Sequence, residues 1–112
     1  MIIVSDYEDL TEAACFLARL LGIGHIPNVD IRIEVVDGYI DGAVGMCHTE
    51  EYAEILIEIS TESECVWVTL CHEMVHARQD LEDWSHFDED EAEELEYPLR
   101  EALLHWQRRT PC

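Results

Sequence analysis

The segment Val29-Asp30-Ile31-Arg32-Ile33-Glu34-Val35 alternates apolar and polar residues without a break. A strand sends successive side chains to opposite faces, so this pattern demands a sheet with a core on one side only. A second run, Glu54-Ile55-Leu56-Ile57-Glu58-Ile59, sets Ile55, Ile57 and Ile59 on one face in the same way. Between the two, Asp37-Gly38 is a turn signal leading into an extended stretch from Tyr39 to Cys47, loosened by Gly42 and Gly45. At the start of the chain, Ile2 to Val4 is a short apolar run, either a strand or an ordered lead-in.

The other segments follow a helical period. Leu10, Ala13, Ala14, Leu17, Leu20 and Leu21 recur at helical spacing from about Asp6 to Leu21, and Gly22 and Gly24 stand where that helix should stop. Thr61 or Ser63 can cap a second helix from about Glu64 to Leu81. An acidic stretch from His86 to Glu94 follows, and Pro98 suits the first position of a last helix reaching about Arg109. The expected class is α+β: an N-terminal helix, a small three-stranded and mainly antiparallel sheet, then two helices. At 112 residues the prior is one domain, 1–112.

Charge narrows the partners. The chain has 26 acids against 6 bases, all six of them Arg, for a net charge of -20. Such a surface repels nucleic acid and anionic membranes. It suits solubility, a salty cytoplasm, or a basic substrate. No run approaches the roughly 20 apolar residues of a membrane span, and the N-terminus lacks the basic region of a signal peptide. A soluble, cytoplasmic protein is expected. Cys15, Cys47, Cys65, Cys71 and Cys112 form no CxxC pair, so a disulfide framework and a four-cysteine metal site are not expected. Most should be small buried hydrophobes.

The chemistry is concentrated in His72-Glu73-Met74-Val75-His76. Histidines four apart on a helix stack on one face, within reach of one ion. At about 100° per residue, Val66, Trp67, Leu70, Cys71, Met74 and Val75 gather on an apolar arc, and the His pair falls on the flank with Thr69 and Gln79. Neutral imidazole suits Zn2+, and two His leave room for a third ligand and a water. Glu73, beside His72, can take a proton from that water. The extension H-E-x-x-H-x-x-G-x-x-H fails, because Gln79 replaces the Gly and Glu82 the last His. A Glu on a following helix is then the expected third ligand. Glu101, 25 residues after His76, leads, with Glu93, Glu94, Glu96 and His105 as competitors.

The decapeptide Leu70-Cys71-His72-Glu73-Met74-Val75-His76-Ala77-Arg78-Gln79 resembles the L-x-HEMVH-x-[KR]-Q segment of the small gluzincin-like (minimal zincin, SprT-like) metallopeptidases of phage and prokaryotic genomes. Tyr97-Pro98-Leu99-Arg100-Glu101-Ala102 is similar to their downstream Pro-x-Glu-x-Glu-Ala segment, but is one residue short and holds one Glu instead of two. The resemblance covers most of the chain. It implies a helix, about three strands, an H-E-x-x-H helix and a Glu-bearing helix. It also implies a zinc metallopeptidase with Glu73 as catalytic base, acting on a peptide or protein substrate. By the same resemblance, Tyr39 to Cys47 or Glu54 to Ile59 would be the strand beside the cleft, with His48 near it or on the plain surface. The alternative expectation is a non-catalytic zinc-binding or acidic interaction module.

Overall fold

The computed structural model describes residues 1–51, 53–82 and 87–107. His86, Arg109 and Cys112 lie outside the described residues. The elements are β1 (Ile2–Ser5), α1 (Glu8–Leu20), β2 (Asp30–Val36), β3 (Gly45–Glu51), β4 (Glu54–Ser60), α2 (Val66–Leu81) and α3 (Glu89–Gln107).

Among the described residues four strands form one sheet in the order β1-β2-β4-β3, so the expected three strands become four. Ile2 to Val4 is a strand, parallel to β2 through the register Ile3↔Ile31 and Ser5↔Ile33. β2 runs parallel to β4, and β3 runs antiparallel to β4. The sheet is mixed rather than mainly antiparallel. The reason is topological. β1 reaches β2 through α1, a crossover that leaves the two strands parallel, and β4 slots between β2 and β3. Near the end of β2 the chain turns at Ile40–Ala43, where Asp41 and Gly42 both have positive φ, the signature of a tight two-residue hairpin loop. It returns along the outside as β3, so the extended stretch lies later than the expected Tyr39 to Cys47.

Alternation is realised as the sequence requires. Ile31, Ile33, Ile55, Ile57 and Ile59 are buried under the helices, while Asp30 and Glu54 point to solvent. α1 ends in a Schellman motif: Gly22 takes φ 78°, its N–H donates to Arg19 O, and Ile23 N–H donates to Ala18 O at 2.9 Å. Leu10, Ala13, Ala14 and Leu17 of α1 and Leu70, Met74 and Val75 of α2 complete the core. Cys47 and Cys71 are buried free thiols and Cys15 an exposed one. Cys65 is disulfide-bonded.

α3 starts at Glu89, nine residues before the expected start at Pro98. Asp88 supplies the reason: its Oδ1 accepts a hydrogen bond from Glu91 N–H at 3.1 Å, a side-chain N-cap. Glu89, Asp90 and Glu91 then lie in the first turn, where the helix dipole favours acids. Pro98 sits inside the helix, exposed. α2 begins at Val66 with Cys65 at its N-cap and no side-chain cap, so neither Thr61 nor Ser63 has the expected role.

Candidate metal centre

α2 is covered on both sides, by the sheet and by α3. This changes the setting of the motif. The flank with Thr69 and Gln79 is buried rather than open, and His76 is only 2% exposed. The His72 and His76 rings stand 4.8 Å apart, with their planes at 80°. Phe87 stacks on His76 at 4.6 Å.

The nitrogens of the pair converge on α3. His72 Nε2 lies 3.1 Å from Glu89 Oε2, and His76 Nε2 lies 2.7 Å from Glu89 Oε1. One ligand atom from each of His72, His76 and Glu89 falls within 4.8 Å of the others, a group that could hold a metal ion. The buried His76 Nε2 makes no hydrogen bond despite that short distance. An unpartnered imidazole nitrogen aimed beside a carboxylate suits a shared cation, and two His with one carboxylate is a donor set that zinc accepts. On the far side of His72, Nδ1 lies 3.5 Å from Glu96 Oε1. A carboxylate behind a ligating imidazole orients the ring and raises its basicity.

Glu73 projects from α2 to the β3 side and is 5% exposed. Burial pushes its carboxyl from 4.5 up to about 7, with Glu89 and Glu96 adding to the rise and His72 opposing it. A carboxyl so placed exchanges its proton near neutral pH, the range that suits proton transfer. Its space depends on Gly45, where a Cβ would stand 2.5 Å from Thr69 Cγ2 and 2.8 Å from Glu73 Oε2. Burial also pushes the thiols of Cys47 and Cys71 up, so neither is a ready nucleophile.

These groups sit in a cleft of about 730 Å³ between β3, α2 and the start of α3. Gly42 to Cys47 form one wall, with Val44 and Met46 as apolar lining and Phe87 across from them. β3 is an edge strand of the sheet, and of the stretch Tyr39 to Cys47 it is Gly42 to Cys47 that border the cleft, while no residue of Glu54 to Ile59 lines it. His48 does not line it; its Nε2 pairs with Glu58 Oε1 at 2.6 Å.

Comparison with protein-family models, curated proteins and solved structures finds no match.

His72, Glu73 and His76 are brought together as the motif requires. Glu101 is not brought to them: its side chain is 65% exposed and lies 3.6 Å from Arg100. Glu93, Glu94 and His105 are also exposed and stand outside the group, while Glu96 approaches only His72 Nδ1. The cause is helical phase. The face of α3 toward α2 carries Glu89, Ala92, Glu96, Leu99 and Leu103, spaced by three and four. Glu101 is about 140° round from Glu96. Glu89 was readable in principle, since stepping back from the apolar Leu103, Leu99 and Ala92 at that spacing reaches it. The Asp88-Glu89-Asp90-Glu91 cap that makes the step legitimate is a helix-start signal hidden among many acids.

Proposed function

We propose that this chain is a zinc-dependent peptidase, with His72, His76 and Glu89 as ligands and Glu73 as general base. The observation that carries the reading is the convergence of three ligand atoms within 4.8 Å beside a buried carboxylate on the helix that carries the two His. Zinc at such a site supplies a Lewis acid that polarises a carbonyl and brings the pKa of water towards about 7.

The residues of the chain do the rest. Glu73 takes the proton of the attacking water on its carboxylate and passes it to the leaving amine. Glu96 holds His72 from behind. The outer edge of β3, from Gly45 to Cys47, offers main-chain groups to an extended peptide, and Val44, Met46 and Phe87 offer it apolar contact. A peptide is therefore the substrate class that the cleft wall favours.

The test is metal content by elemental analysis, on protein purified without added metal, together with hydrolysis of a fluorogenic denatured protein. Wild type should carry one zinc, and His76→Ala and Glu89→Gln should lose most of it. Glu73→Gln should keep the zinc and lose hydrolysis by roughly 10²–10⁴-fold. Absence of zinc in wild type sinks the proposal, as does full activity in Glu73→Gln. Zinc without hydrolysis by wild type would instead establish a non-catalytic metal module.

A further inference from the structure

Gln79 is fully buried, and the proposed chemistry assigns it nothing. Its neighbours settle which way its amide points. The backbone N–H of Asp88 can only donate, and it donates to Gln79 Oε1 at 3.0 Å. The backbone carbonyl of Asp88 can only accept, and Gln79 Nε2 donates to it at 3.1 Å and to Glu91 Oε1 at 2.9 Å. Turning the amide over would set donor against donor and acceptor against acceptor. The Gln79 atom 2.9 Å from His76 Nδ1 is therefore the carbonyl oxygen, and Nδ1 must carry a hydrogen to donate to it. In the neutral ring Nε2 then keeps its lone pair, and Nε2 is the atom facing Glu89.

We propose that Gln79 is the positioning residue of this centre. It fixes the Nδ1–H tautomer of His76, and it ties the backbone of Asp88 to α2 so that the next residue, Glu89, stands opposite His76 Nε2. One side chain thus sets both the lone pair and the carboxylate that meet. Arg78 assists by pairing with Glu91 at 2.5 Å, and the Gln79 amide, first, and Arg78 hold the Glu91 carboxyl below its usual range. The purpose of the arrangement rests on the metal reading, but the tautomer does not.

The experiment is therefore read first without metal. Long-range ¹H–¹⁵N spectra of ¹⁵N-histidine-labelled, EDTA-treated protein at about pH 8, above the ordinary imidazole range, report which ring nitrogen is protonated. His76 should show the Nδ1–H form in wild type and in Gln79→Glu, which keeps an oxygen acceptor for Nδ1 while giving up the donors to Asp88 and Glu91. Gln79→Met, which offers none, should show mixed or Nε2–H forms, with His25 and His48 unchanged as controls of folding. Zinc affinity, measured by chelator competition, should fall roughly 10–100-fold in Gln79→Met, the usual cost of losing a group behind a ligand. An Nε2–H ring in wild type, or in Gln79→Glu should Gln79→Met fail to fold, overturns the proposal. So does a Gln79→Met ring matching wild type. A wild type that shows the Gln79-dependent tautomer but binds no zinc leaves the positioning role standing and removes the metal reading instead.

Discussion

Replacing Glu73 by Gln should stabilise the metal-free protein, by an amount that grows with pH. Burial and the neighbouring Glu89 and Glu96 raise the folded-state carboxyl from 4.5 to about 7. The folded state thus keeps a proton that the unfolded chain has already lost. Between about pH 4.5 and 7 the unfolded state binds fewer protons, so stability falls as pH rises through that window. A shift of that size, at about 1.4 kcal/mol per unit, amounts to roughly 3 kcal/mol once the pH is above 7. Gln has the shape of the protonated acid and never ionises, so Glu73→Gln escapes the loss. Urea unfolding of EDTA-treated wild type and variant should coincide near pH 4.5 and differ by up to about 3 kcal/mol near pH 8. The comparison nearly cancels the repulsion of the net charge of -20, which the substitution changes by a single charge. A constant difference across pH would refute the argument, since it would mean that Glu73 ionises as freely folded as unfolded. Added zinc should narrow the gap by favouring the ionised carboxylate.

Two other substitutions test the frame around the site. Gly45→Ala sets a Cβ against Thr69 and Glu73, and overpacking of this kind should cost about 1–3 kcal/mol and displace the base, so urea midpoint and hydrolysis should both fall; retention of both would show that Gly45 is not needed for space. Pro98→Ala restores an N–H to the middle of α3 at an exposed position, and should raise stability by about 1–3 kcal/mol; a lower thermal midpoint would show that the proline does something useful for the helix.

Much of the fold is legible without coordinates because it is local. Alternation at Val29–Val35 and Glu54–Ile59 needs only the two-residue period of a strand, and both became strands with the expected isoleucines inward. The Gly22 stop and the amphipathic α1 follow from spacing and backbone freedom in the same way. The strand count and the sheet's sense do not. Ile2 to Val4 is too short to declare itself, and it becomes β1 only because Ile3 and Ser5 meet Ile31 and Ile33. Pro98 is the instructive miss. Proline favours a helix start when nothing else decides, but Asp88 caps the helix earlier, and the packing of Ala92, Leu99 and Leu103 outweighs the interior proline.

The His72-Glu73-Met74-Val75-His76 motif is the part of the site that sequence alone determines. One helix carries all three polar groups, and helix geometry sets their relation wherever that helix lies. What stands opposite the pair depends on the start, phase and docking of a different helix, and 26 acids give spacing too many candidates to choose among. Only the tertiary structure supplies the Asp88 cap, the Gln79 clamp and the contact face of α3, and these set Glu89 opposite the His pair and leave Glu101 in solvent. Covering both sides of α2 likewise buries Glu73, and so makes a carboxylate common in this sequence into one with the proton affinity of a base.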